Sequence, residues 1–289
     1  MNGIMEVIAS TVIFLFSAGN NPQPIGTGFI VGYPMPDKEG KVIPLVVTAK
    51  HVIGDHRLVL ARFSTQEGGS TAFVQYDMDA MKKSNDYWEY PGDDGVDIVV
   101  FRSPHFEITK YTPFPVDMIA TKKMFEDDAI RQTDRVIFPS LLVNFLGSAK
   151  NYPVIRDGSI ALIPSEKVPM KYKVGSREII TEQEVILVDA TSIPGASGSP
   201  VFLWPGPRQK GNSYQMGGTK PYLLGIMHGF YPAVPREILE VQTSDTKKMY
   251  SENSGVAIIF PSWKLRDIFE SGAFKNRMQE IVRMEDNRK

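Results

Sequence analysis

From Ser10 onward the chain is a succession of short runs of β-branched and aromatic residues. "STVIFLF" (10–16), "TGFIVGY" (27–33), "VIPLVVTA" (42–49), "RLVLARF" (57–63), "TAFVQYD" (71–77) and "VDIVVFR" (96–102) form a first block. Asn20 and Asn21, then Pro36, Asp37 and Gly40, then Gly92 to Gly95 punctuate it. A second block follows: "RVIFPSLLVNF" (135–145), "GSIALIPS" (158–165), "EVILVDAT" (184–191), "SPVFLW" (199–204), "YLLGIMHGF" (222–230) and "SGVAIIF" (254–260). Many short strands with turn residues between them predict an all-β sandwich or barrel. The stretch 103–132 is less regular, holds three prolines and predicts a linker with one helical turn. After Pro261 the period changes: Leu265, Ile268 and Phe269 recur at helical spacing, with Ser262 as a candidate N-cap. The expected organisation is a β-block over 1–115, a second over 116–262, and a C-terminal helix with its tail over 263–289.

Composition narrows the classes. The 289 residues are 42% hydrophobic and 22% charged, as in an ordinary globular chain, with a formal net charge of −1. No long run of one sign occurs, so there is no electrostatic case for a nucleic-acid or membrane partner. With no cysteine, disulfides and thiolate metal sites are excluded, which fits a reducing compartment and a cytoplasmic location. The apolar run Val12 to Phe16 is too short to span a bilayer. It also lacks the positive flank of a secretory signal, because the first ten residues hold no Lys or Arg and Glu6 is acidic. It is expected to be the first strand.

Histidine is scarce: His51, His56, His105 and His228. His51 stands in "PLVVTAKHVI", where an apolar strand gives way to a turn. That sets an imidazole at the edge of a rigid core, suited to general-base work near neutral pH. Asp97, in "GDDGVDIVVFR", immediately precedes a strongly apolar strand, where a buried carboxylate could orient a histidine and stabilise its imidazolium. Asp93 and Asp94 compete for that role but lie in a Gly-rich turn with the look of a solvated loop. Ser197 is the central serine of "TSIPGASGSPVF" (191–202). Gly195 permits a backbone that turns N–H groups inward, so the amides of Gly195 and Ser197 are candidates for an oxyanion hole. Ser199 is the rival nucleophile, without the upstream Gly-x spacing; a plain small-residue hairpin is the structural alternative. The order His, Asp, Ser matches one known triad order. The near-match to the G-x-S-x-G elbow fails because it ends in Ser199 and because that elbow's serine precedes its partners.

"GTGFIVGY", "VVTAKHVI", "VDIVVF" and "GASGSPVF" resemble the bacterial-type trypsin-like serine peptidases, among them HtrA protease domains and glutamyl endopeptidases, over roughly residues 9 to 270. The resemblance implies two antiparallel six-stranded β-barrels of chymotrypsin-like type with the site in the cleft between them. It implies His51 as general base, Asp97 as its partner, Ser197 as nucleophile, Gly195 and Ser197 as oxyanion donors, no cofactor and no metal. Ala196 stands where the digestive enzymes carry an aspartate, so activation by a freed N-terminus is not expected. The chain length leaves no room for a following PDZ domain, so a stand-alone protease domain is expected.

The same resemblance assigns the specificity pocket to Thr191–Pro194, Gly225–Phe230 and Ser254–Val256, with Thr191, Met227, His228, Gly229 and Gly255 as substrate-binding candidates. Neither Asp nor Glu occurs there, which disfavours a Lys or Arg pocket. Glutamyl endopeptidases carry Gly-Ile-His; here His228 comes one residue later, and a shift of one reverses the strand face. Met227 is then expected on the pocket wall and His228 on the Asp97 side, for an uncharged, medium-sized substrate side chain. The long connection 231–253 is expected to be a flap or a regulatory-partner loop. Three functions stay open: a peptide- or protein-cleaving endopeptidase, a non-catalytic peptide-binding relative, and an esterase-like hydrolase.

Overall fold

In a computed structural model the described residues are 4–35, 38–65, 70–103, 109–127, 129–148, 150–191, 194–204, 206–210, 213–215, 220–232 and 253–286. The first half comprises α1 (Ile4–Ser10), β1 (Val12–Ser17), β2 (Pro24–Pro34), β3 (Val42–Thr48), α2 (Lys50–Ile53), β4 (Leu58–Thr65), β5 (Thr71–Asp77), α3 (Met78–Lys83), β6 (Tyr87–Glu89), β7 (Val99–Arg102), β8 (Thr109–Lys110) and β9 (Phe114–Pro115). After α4 (Lys122–Glu126) come β10 (Arg135–Ser140), β11 (Val154–Leu162), β12 (Val168–Val174), β13 (Arg177–Gln183), β14 (Ile186–Asp189) and β15 (Pro200–Leu203). The chain then continues through β16 (Arg208–Lys210), β17 (Ser213–Gln215), β18 (Leu223–Pro232), β19 (Asn253–Pro261), α5 (Ser262–Glu270) and α6 (Gly272–Asp286).

The second half closes into a six-stranded barrel in the order β10-β11-β14-β19-β18-β15. The first half is a nine-stranded sheet, β5-β4-β1-β2-β3-β7-β6 with β8 on β4 and β9 on β2, which curls into a half-barrel. The expected two-barrel architecture is thus present, with the first half a curled half-barrel whose described edge strands are β5 and β6. The edge strand β5 keeps alternate residues, Phe73 and Gln75, in contact with water, with Phe73 49% exposed. The central strands are different. Phe29 and Val31 of β2 and Leu45 and Val47 of β3 face one core, and Ile30 and Val46 face another. Burial on both faces explains their unbroken apolar sequence, and each such side chain contributes roughly 1.5–3 kcal/mol.

The C-terminal segment forms two helices where one was expected. Their aromatic residues pack on the first half: Phe269 and Phe274 meet Tyr33 edge-on, and Phe274 meets Trp88. Arg277 reaches the buried Asp86 carboxylate at 2.9 Å. Ser262 is not the cap. It is the first helical residue after Pro261, and its hydroxyl donates to the Ala120 carbonyl at 2.9 Å. The irregular stretch predicted as a linker supplies β8, β9 and α4, and thus carries short strands beside its helical turn. Among the described residues, no helix is long and apolar enough to cross a membrane.

Candidate active site

The end of β3, the start of β7, the turn before β15 and the middle of β18 converge at one place. β3 leads through Thr48 and Ala49 into the single helical turn α2, which projects His51. Asp97 lies just before β7 and is 1% exposed. Its Oδ1 accepts the His51 backbone N–H at 2.8 Å, and its Oδ2 lies 2.6 Å from His51 Nδ1. Burial alone would raise the Asp97 carboxyl, but the charges of and hydrogen bonds from His51 and His228 outweigh it and hold the group well below the usual carboxylate range. The carboxylate is thus ionised and accepts only, so His51 carries its hydrogen on Nδ1. The lone pair of the neutral ring is then on Nε2, the atom that would take a proton. Burial of His51 pulls its protonation downward, but the charge of Asp97 and its hydrogen bond together raise it above the ordinary 6.5.

His228, on β18, completes the arrangement: its Nδ1 lies 2.5 Å from the same Asp97 Oδ2. His51, Asp97 and His228 also offer three metal-type ligand atoms within 4.8 Å of one another. The distances from both Nδ1 atoms to Asp97 are hydrogen-bond distances, and these atoms are spent on the carboxylate. Asp93 and Asp94 stand apart: the Asp93 carboxylate accepts from Gly95 N–H and Gln183, and Asp94 is exposed. His56 is exposed, and His105 lies outside the described residues.

The serine turn is built on glycine. Gly195 has φ +96° and Gly198 φ +82°. A Cβ on Gly198 would sit 2.1 Å from the Thr27 carbonyl and 2.2 Å from Thr48 Oγ1, so only glycine fits against the first half. Among the described residues, the amides of Gly195 and Ser197 donate to no protein acceptor, whereas Gly198 N–H goes to Met227 O and Ser199 N–H to Ala196 O. Two unspent N–H groups beside a serine are what an oxyanion hole requires. The Ser197 hydroxyl donates to the His228 carbonyl at 3.1 Å, not to His51. The rival Ser199 is fully buried, its hydroxyl without a partner.

Searches for known relatives by sequence and by structure differ in outcome. No protein-family model matches the chain, and no curated protein sequence does. Solved structures do. The MamO protease domain from Magnetospirillum magneticum, in its apo form, superposes with a TM-score of 0.52 at 14% identity, covering 91% of this chain and 97% of that one. A serine endoprotease from Yersinia pestis gives 0.50 at 14% identity over 92% of this chain, which spans 64% of the Yersinia chain. The chain has the chymotrypsin-like fold. The first half brings His51 and Asp97, the second brings Ser197 and His228, and these residues come together where the halves meet.

The other residues singled out in sequence are distributed unevenly around this cleft. Thr191 is exposed at the end of the segment that follows β14, and Gly255, at φ +81°, accepts the Ala190 N–H at 2.8 Å. A Cβ at either Gly229 or Gly255 would meet nothing within 4 Å. Met227 is fully buried in the barrel core, so it does not present a surface to the cleft as expected; the register of β18 against β19 shifts between Met227 and Gly229, and the extra residue, His228, reaches the Asp97 side. Ser192 and Ile193, and all of 233–252 from the long connection, lie outside the described residues.

Two contributors were not apparent in the sequence. Thr27, fully buried on β2, donates its hydroxyl to Gly195 O at 2.6 Å and its N–H to Ser197 O at 2.9 Å, and its Oγ1 accepts Leu141 N–H at 3.0 Å. It ties the serine turn of one half to the sheet of the other. The β12–β13 hairpin crosses between the halves: Tyr172 sits edge-on to His228 at 4.7 Å and donates to Gly95 O, and Ser176 N–H donates to Asp55. The alternation in "VPMKYKV" and the Gly175-Ser176 turn were the signal for that hairpin. For Thr27 only its glycine-flanked place in "GTGF" stood out.

Proposed function

We propose that this protein is a serine endopeptidase that cleaves peptide bonds through an acyl-enzyme. The observation that carries the reading is the buried Asp97 bonded to both the backbone and Nδ1 of His51, beside a serine turn with two amides that have no acceptor among the described residues. Ser197 Oγ attacks the scissile carbonyl while its proton passes to His51 Nε2. The amides of Gly195 and Ser197 hold the oxyanion. The C–N bond then breaks as Nε2 returns the proton to the leaving amine, and water repeats the sequence on the acyl carbon to free the serine. For this, the Ser197 hydroxyl must turn from the His228 carbonyl toward Nε2. The open glycine walls at Gly229 and Gly255, with no acidic residue among the described pocket segments, favour an uncharged, medium-sized substrate side chain. A cleavage profile dominated by Glu, Gln, Lys or Arg would overturn that preference.

The placement of the Ser197 hydroxyl on the His228 carbonyl also favours a second reading, a peptide-binding relative that does not turn over. Labelling with a fluorophosphonate probe, beside a Ser197→Ala control, separates the two. Labelling that the control abolishes supports the endopeptidase. Absence of labelling of the unaltered protein supports the binding module.

A further inference from the structure

Asp97 carries two imidazoles on one oxygen. Nδ1 of His51 lies 2.6 Å and Nδ1 of His228 2.5 Å from the same Oδ2, and the two rings meet edge-on with centroids 5.2 Å apart. The other carboxylate oxygen is occupied by the His51 backbone N–H. One buried carboxylate balances one imidazolium; a second would meet an uncompensated like charge across that short gap. We propose that His228 is a positioning residue that shares Asp97 with His51, so that the proton on one ring governs how firmly the carboxylate holds the other.

The surroundings leave these three groups to each other. From β12, Tyr172 faces the His228 ring, with its phenol turned to Gly95 O; from β19, Phe260 packs edge-on at 5.5 Å. From α2, Lys50 points away, donating to Asp94 O at 2.6 Å and lying 3.5 Å from Glu89. On the loop before β7, the Asp93 carboxylate is taken by Gly95 N–H and Gln183, and Asp94 lies 3.8 Å from Arg177. On the hairpin, Lys171 and Lys173 are exposed and Lys171 pairs with Glu178. Among the described residues, no charged side chain other than Asp97 bonds to the His228 ring.

A donor on Oδ2 draws charge away from the bond that holds His51. With His228 in place, the base releases its proton at a lower pH than Asp97 alone would impose; without it, His51 keeps the proton to higher pH. Reading His51 as the general base, on which this rests, turns the sharing into control of the pH at which the site becomes competent. The His228 carbonyl also accepts the Ser197 hydroxyl, so one residue touches both the acid and the nucleophile.

The test follows the His51 ring by NMR against pH in the full chain, in the unaltered protein, in His228→Ala and in His228→Asn, with the fluorophosphonate labelling rate over the same range. The Asn amide keeps a donor near the place of Nδ1 but does not titrate. In His228→Ala the His51 midpoint is expected to rise by about half a pH unit or more, with the acid limb of labelling moving alongside it. His228→Asn, which restores a donor, is expected to return the midpoint toward the unaltered value. Superimposable His51 curves in all three proteins overturn the proposal. If His228→Ala fails to fold, His228→Phe, which fills the space of the ring without a donor, takes its place: a raised His51 midpoint supports the sharing, and an unchanged one overturns it. The ring titration needs no turnover. A protein that takes no probe but shows the coupling defeats only the endopeptidase reading, and normal labelling with superimposable curves defeats only the sharing.

Discussion

Asp97 and Ser197 lie on opposite halves of the molecule and are held by different means. Asp97 is locked through its side chain: fully buried, ionised, and accepting from a backbone N–H and two imidazoles. Ser197 is locked through its backbone. Its carbonyl and that of Gly195 are tied across the cleft by Thr27, while its hydroxyl rests on a main-chain oxygen 3.1 Å away and has one torsion in which to turn. In the proposed mechanism the acid–base side is then fixed by a buried charge, and the nucleophile side by chain geometry that leaves the hydroxyl free to turn. This division suits a site whose base must keep one tautomer and whose nucleophile must move.

The sharpest way to break the first side is Asp97→Asn. The amide has one acceptor oxygen where the carboxylate has two: either its NH2 faces the His51 backbone N–H or it faces both Nδ1 atoms, so the set of hydrogen bonds that fixes the His51 tautomer is lost. Turnover is expected to fall about 10⁴-fold, as for loss of the orienting carboxylate in such triads. Steady-state kinetics on a peptide substrate measures it, and a drop of less than tenfold would mean that Asp97 does not orient the base.

The second side is challenged by Thr27→Val, which keeps shape and removes the hydroxyl. Gly195 O loses its donor and Leu141 N–H its acceptor, and an orphaned buried group costs roughly 1–3 kcal/mol. Chemical denaturation should show a loss of that order, with a slower labelling rate as the turn loosens. Unchanged stability and labelling would show that the sheet does not set the serine turn.

The smallest effect sharpens the contrast. Because Asp97 raises His51 above 6.5, the ring holds its proton to higher pH than a free histidine. Labelling requires the neutral ring, so its rate should fall as pH drops, with a half-point above 6.5. A half-point at or below the free value would mean that Asp97 contributes no net stabilisation of the imidazolium. In Asp97→Asn that half-point should shift downward.

Much of the fold was legible because strand and turn chemistry are local. All twelve apolar runs noted in the sequence fall on strands, and "TAKHVI", "GVDIVV" and "GASGSP" bring His51, Asp97 and the Ser197 turn to the cleft. The β12–β13 hairpin was harder to see because its alternation is carried by few apolar residues: Met170, Val174 and the polar Gln183 are its buried positions, and charged residues fill most of the exposed ones. The second C-terminal helix follows a break at Ser271 that the helical spacing did not mark.

The sequence by itself determined the all-β class, the order of His51, Asp97 and Ser197, and the glycines that only a tight turn needs, because each depends on neighbours along the chain. Only the tertiary structure decided that the first half curls into a half-barrel, that Met227 turns into the core, that Thr27 grips the serine turn, and that His228 joins His51 on one carboxylate. Those outcomes depend on contacts between residues up to 170 positions apart, as with Thr27 and Ser197. The last two arise from buried polar groups finding partners across the cleft, for which local sequence carries no signal.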